Sequence, residues 1–155
     1  MIEIERKYLV KSHSFINHAT KQFNIAQGYL STDPERTVRV RLRDQEAFLT
    51  IKGKSSADGL SRAEWEYSIS VTDAKEMLRI CAKPPVEKTR YIIPFGKYNF
   101  EVDVFSGANQ GLIIAELELD DAQLSPNLPD WIGEEVTGDE RYYNAYLSQR
   151  PFQKW

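Results

Sequence analysis

The chain has a single cysteine, Cys81, in 155 residues. No disulfide can form within it, and the count fits a reducing compartment. Cys81 falls within an amphipathic helical pattern and reads as packing rather than as a reactive thiol. No apolar run approaches the roughly 18 to 20 residues of a membrane span. The N-terminus enters a charged strand directly, which is not a signal-peptide pattern. These absences predict a cytoplasmic protein without membrane contact. Only two histidines occur. Neither His13 nor His18 has a cysteine or carboxylate at metal-ligand spacing, and both read as surface residues. Walker loops, G-x-G-x-x-G turns leading into a helix, and nucleophile elbows are all missing. Net charge is only −3, so no overall basic field points to nucleic acid. With no repeat and no boundary, residues 1–155 read as one domain.

What remains is a soluble globular composition, 41% hydrophobic and 28% charged, arranged mostly in alternating segments. In a strand, alternate residues face opposite sides. Eight segments read this way: IEIERKYLV from Ile2, FNIAQGYL from Phe23, RTVRVRLRD, EAFLTIKGK, AEWEYSISV, VEKTRYIIPF, YNFEVDVFSG and LIIAELELD. Asp44 and Gln45 lie near a hairpin turn. GKSSADGLSR reads as a mobile loop, and DAQLSPNLPDWIG as a proline-bearing connection. Short strands at this spacing predict a mainly β (α+β) fold, either an antiparallel sheet system or a closed barrel. Helices are few. TDAKEMLRICAK is expected to start at Thr72 or Asp73 and stop before Pro84. DERYYNAYLSQR is expected to form a second helix capped by Asp139, and residues 14–19 a short third one.

The charges are sorted by strand and by sign. Glu3 and Glu5 share a face, as do Arg39, Arg41 and Arg43. Glu64 pairs with Glu66, Lys88 with Arg90, Glu101 with Asp103, and Glu116 with Glu118; Lys52 closes its strand alone. The opposite faces are apolar, as in Val38, Val40 and Leu42. A solvated sheet face explains any one of these strands. It explains the set less well. Like charges at i and i+2 stand roughly 6.6 Å apart, and a wet face selected for stability would mix signs. Neighbouring carboxylates suit hard cations such as Mg²⁺ or Mn²⁺. Arginine and lysine suit phosphate oxygens. Acid rows facing basic rows inside a barrel would hold a metal–polyphosphate complex. The apolar faces would then look outward, with Ile2, Ile4 and Tyr8 packing outside and Arg6 reaching solvent. Helices, tryptophan- and tyrosine-rich segments, and a homodimer interface would have to cover them.

Glu3, Glu5 and Lys7, in EIERK, resemble the ExExK signature of the CYTH proteins, the triphosphate tunnel metalloenzymes. VRVRLR, TIKG, AEWEY, VEKTRY, FEVDVF and AELEL follow in order, each similar to a family strand motif. The length, QGYL and the closing EEVTGDERYYNAYLS look most like the small bacterial inorganic triphosphatases. The resemblance implies an eight-stranded antiparallel tunnel with a charged lumen that binds triphosphate and a divalent metal. It assigns phosphate binding to Lys7, Arg39, Arg41, Lys52, Lys88 and Arg90. It assigns Mg²⁺ or Mn²⁺ to Glu116 and Glu118 with Glu3 and Glu5. Glu64, Glu66, Glu101 and Asp103 are additional lumen acids, and Arg43 belongs at the mouth.

Tyr29 and Lys7 are the catalytic candidates. QGYL sets Tyr29 beside a glycine at a strand end, where a phenol near cations would act as a base or gate, or simply line the mouth. Small bacterial members look to have a suggested proton acceptor there. The expected reaction is hydrolysis of inorganic triphosphate to pyrophosphate and phosphate. Its rivals are a class IV adenylate cyclase, another organic-triphosphate hydrolase, and a binding protein that senses triphosphate without turnover. The C-terminal segment is expected to cover the barrel wall rather than plug an end.

Overall fold

The computed structural model describes all residues, 1–155. Eight strands close into an antiparallel barrel: β1 (Ile2–Val10), β2 (Lys21–Ser31), β3 (Arg36–Arg43), β4 (Glu46–Gly53), β5 (Ser61–Ile69), β6 (Val86–Phe95), β7 (Tyr98–Phe105) and β8 (Ile113–Glu118). The order is β5-β4-β3-β2-β6-β7-β8-β1, and β1 returns to β5 through Ile2↔Ala63, Glu3↔Arg62 and Ile4↔Ser61. Closure gives every one of these strands a neighbour on each side, although β1 and β5 meet over only three residue pairs. At the β3–β4 hairpin Asp44 takes φ 51°, a left-handed turn that aspartate tolerates.

A ninth strand, β9 (Ile132–Glu135), pairs with β1 at Tyr8 and Val10, on the edge that β5 leaves after Ile4. It lies within and just after the stretch expected to be a plain connection. Four residues with little alternation gave no strand signal. Arg6 does face outward as expected, but its Nη1 meets Glu135 Oε2 at 3.0 Å instead of ending in solvent.

The apolar faces do look outward, so the hydrophobic core lies outside the barrel wall. Tyr8, Phe100, Val102, Ala115 and Leu117 pack under Phe15 and Trp131. Phe15 belongs to a 3₁₀ turn at His13–His18, the expected third helix in tighter form, and both histidines are exposed. A second layer forms where α1 (Val71–Ile80) covers Val40 and Ala47 with Ala74. Helix α1 starts slightly earlier than expected because Ser70 Oγ accepts from Asp73 N at 3.0 Å. It ends at Ile80, with Cys81 as an extended cap.

Gly28 makes the α1–β2 contact possible. A Cβ there would stand 2.9 Å from Cys81 Sγ and 3.0 Å from Leu78 Cδ2. Gly28→Ala should therefore cost about 1–3 kcal/mol through overpacking, read as a lower urea midpoint with an unchanged slope. Trp65, Tyr67 and Ile2 remain exposed at 47%, 55% and 66% on the β5–β1 wall.

The third apolar cluster sits at one end of the lumen. Val86, Phe105 and Ile114 share the inward parity of the charged residues, yet they pack with Leu112, Val136, Tyr142 and Leu147. The lumen thus turns from charged to apolar, and the C-terminal segment seals that end. The segment is not one helix. Asp139 caps a 3₁₀ turn at Glu140–Tyr142, Tyr143 is extended, and α2 (Asn144–Gln149) follows. The break lets Tyr142 enter the apolar cluster while Tyr143 lines the charged cavity.

Candidate active site

Alternation fixes which side chains enter the barrel, and register fixes which of them meet. The lumen holds a cavity of about 630 Å³. Strand β1 contributes Glu3, Glu5 and Lys7; β8 contributes Glu116 and Glu118. Tyr29, Arg39, Arg41 and Lys52 come from β2, β3 and β4. Glu64 and Glu66 on β5, Arg90 on β6 and Glu101 on β7 complete the predicted set. Arg43 also lines the cavity, its guanidinium 4.9 Å from the Phe23 ring and 5.0 Å from that of Phe48.

Lys88 and Asp103 are the exceptions. Both share the inward parity, but their side chains are fully buried behind the cavity wall. Lys88 Nζ meets Asp103 Oδ2 at 2.7 Å. Arg90 donates to the same carboxylate from Nε at 2.7 Å and from Nη2 at 2.9 Å, and from Nη1 to Glu101 at 2.9 Å. Asp103 is thus a charge-balancing acid inside the wall.

The acids converge on one side. Across β1 and β8, Glu5 stands opposite Glu118 and Lys7 opposite Glu116. Lys7 Nζ lies 3.8 Å from Glu5 and 3.9 Å from Glu116. Burial, then Glu116 and Glu3, push the Glu5 carboxyl well above its usual range, with Lys7 pulling the other way. Burial and the nearby Glu3 and Glu101 also raise Glu118. Glu116 is buried too, but Lys7, Arg90 and Lys88 hold it well below the usual range. Glu3 is bound by Lys52 at 2.8 Å, and Lys52 reaches Glu64 at 3.3 Å.

These oxygen donors, with Glu5 and Glu118 raised by burial and their acidic neighbours and Glu116 held ionised, fit a hard divalent cation in chemistry. No three acidic groups close on a common point, however; Lys7 stands between Glu5 and Glu116.

The cations on the other side are less committed. Arg39 Nη2 donates to Thr50 at 3.2 Å and lies 3.7 Å from Glu66, while its Nε is buried without a partner. Arg41 has no carboxylate partner; its Nε donates to Gln27 Oε1 at 2.9 Å. Burial, then Arg39 and Arg90, lower Arg41 to about 9. A buried guanidinium opposed by two others is a site prepared for an anion.

Sequence reasoning missed Arg62, whose guanidinium lies 5.6 Å from the Tyr143 ring centroid on the cavity wall. It continues the parity of Glu64 and Glu66, but it sits where the glycine- and serine-rich loop enters β5. Gln27, Thr50 and Asn144 were missed as well. They are uncharged, and nothing in the charge pattern marks them.

The CYTH domain model matches residues 1–144. The chain belongs to the CYTH domain family. An inorganic triphosphatase from Acetivibrio thermocellus is 44% identical over 154 residues, spanning 99% of this chain and 97% of that one. Another, from Nitrosomonas europaea, is 42% identical over 154 residues, spanning 96% and 97%. A solved structure of an inorganic triphosphatase superposes with TM-score 0.65 at 34% identity, covering 94% of this chain and 97% of that one. The structure of a putative adenylyl cyclase from Hippeastrum, described as having a dominant triphosphatase activity, gives TM-score 0.65 at 15% identity, covering 77% and 80%, a likeness of fold alone. Membership of this CYTH domain in a family of tunnel metalloenzymes implies a divalent cation. No helix is long and apolar enough to cross a membrane.

Proposed function

We propose that this CYTH domain hydrolyses inorganic triphosphate to pyrophosphate and phosphate in the charged lumen, with Mg²⁺ or Mn²⁺. The observation that carries the reading is the division of one cavity into two walls. Crowded carboxylates line β1 and β8, and underpaired guanidiniums line β3. The inorganic triphosphatase relatives support the same substrate.

Arg39, Arg41 and Arg90 hold the phosphate oxygens, with Lys7 and Lys52 adding charge. Glu3, Glu5, Glu116 and Glu118 would hold the divalent cation, which neutralises phosphate charge when bound. The carboxylates also orient a water in line with the terminal phosphorus. Its oxygen bonds to that phosphorus as the bridging P–O bond breaks, pyrophosphate departs, and the water's proton passes to a nearby base. Positioning and charge stabilisation supply most of the catalysis in such transfers. Lys88 acts from behind the wall, as a buried positive charge.

Tyr29 lines the cavity and pairs in register with Arg39. If it is the base, Tyr29→Phe should lower kcat by about 100-fold or more. A parent-like rate assigns it to the mouth lining alone.

Lys88 gives a pH signature. Burial lowers its ammonium to about 7, against the pull of Asp103. Above pH 7 the free protein must take up a proton there to present full charge to the polyanion. Tripolyphosphate affinity should then weaken by up to about tenfold per pH unit between pH 7 and 9, relative to Lys88→Arg, whose charge is fixed. Parallel pH profiles for the two proteins would remove this role.

The reaction class is tested by offering tripolyphosphate, ATP and thiamine triphosphate, each with Mg²⁺ or Mn²⁺, and measuring all products. Preferred turnover of tripolyphosphate is expected. Cyclic AMP from ATP would make the protein a cyclase, and tight binding without product would make it a sensor.

A further inference from the structure

Asn144, the first residue of α2, reaches the charged half of the barrel. Its Oδ1 accepts from Lys88 Nζ at 3.0 Å and from Gln27 Nε2 at 2.9 Å. Gln27 is fully buried. Its Oε1 in turn accepts from Arg41 Nε. One amide oxygen therefore ties β6 to β2 and, through Gln27, to β3.

The polarity of this relay matters. Asn144 dictates which end of the Gln27 amide faces Arg41. A flipped Gln27 would set an NH₂ group against the Arg41 Nε–H, donor against donor. Without Asn144 the buried Gln27 nitrogen would lack an acceptor, at a cost that favours rearrangement. Arg41 has five N–H donors. Gln27 takes one, and no carboxylate takes the others. Lys88 has three; Asp103 and Asn144 take two of them.

We propose that Asn144 is a positioning residue for the substrate, holding Lys88 directly and the Arg41 guanidinium through Gln27. The C-terminal segment thereby takes part in phosphate recognition rather than only covering the wall. The inference rests on the lumen being a triphosphate site.

The test is calorimetric titration of tripolyphosphate in chelated, metal-free buffer, so that binding is read apart from turnover. Asn144→Ala and Gln27→Ala should each weaken binding by about tenfold, and the double variant should bind no more weakly than either single one. Asn144→Ser, which cannot reach both donors, should match Asn144→Ala and serves if the alanine variant does not fold. Gln153→Ala, on the same segment but outside the cavity, should bind like the parent.

A merely structural role would lower the melting temperature and leave the affinity alone. Binding within twofold of the parent for Asn144→Ala, or losses that multiply in the double variant, would overturn the proposal. A parent that binds tripolyphosphate but never hydrolyses it with metal would sink the hydrolase reading and leave this one standing. A parent that hydrolyses tripolyphosphate with metal but does not bind it without metal sinks this proposal alone, and one that binds it under neither condition sinks both.

Discussion

Glu116→Ala is expected to lower tripolyphosphate turnover by about 100- to 1,000-fold with either Mg²⁺ or Mn²⁺ present. Glu116 stands where the two walls meet. It lies 3.9 Å from Lys7 Nζ on the acid side and 3.8 Å from Arg90 Nη2 on the basic side. Lys7, Arg90 and Lys88 keep it ionised despite its burial. It is therefore a full negative charge, ready for a cation at the free protein's working pH. Removing it takes away a metal-ligand candidate and a partner of two cations proposed to bind phosphate. Glu116→Gln keeps the shape and should lose nearly as much, because the charge is what serves. Rates measured at saturating metal decide the matter. Near-parent turnover in Glu116→Ala would remove the metal assignment.

Asp103→Ala should produce the largest loss of stability, about 3–5 kcal/mol. The carboxylate is fully buried and accepts one hydrogen bond from Lys88 and two from Arg90. Without it two buried cations lose their main counter-charge. Burial raises the carboxyl's pKa, but Arg90 and Lys88 outweigh that and lower it below the ordinary 3.8. A carboxyl lowered on folding stabilises above its unfolded pKa, so this contribution is present above about pH 4 and fades as pH falls through the folded value. Urea denaturation at pH 7 and at pH 3 should show a large parent–variant gap at the first and a smaller one at the second. A gap below about 1 kcal/mol at pH 7 would contradict the account.

The sequence made the faces legible. Alternation put Glu3, Glu5 and Lys7 on one face and Tyr8 on the other, because the strand period is two, and the sorting of charge by sign across the strands marked the first face as the inner one. It did not give depth along the barrel. Lys88 and Asp103 have the parity of lining residues, yet they lie behind the wall, next to the apolar end formed by Val86 and Phe105. Register between strands decides that, and register depends on long-range pairing. Sign sorting was legible too, but commitment was not. Lys52 and Arg90 are paired to acids, whereas Arg41 hydrogen-bonds to Gln27 and has no carboxylate partner. The C-terminal break at Tyr143 was hidden because its tyrosines suit a helix as well as they suit two opposite faces. Expecting that segment only to cover the wall missed Asn144, which enters the lumen from it.

The most direct measurement of the central claim is product stoichiometry from tripolyphosphate. With Mg²⁺ or Mn²⁺, the parent protein is predicted to release one phosphate and one pyrophosphate per substrate, and with chelator neither. Unchanged tripolyphosphate in the presence of both metals would contradict the account.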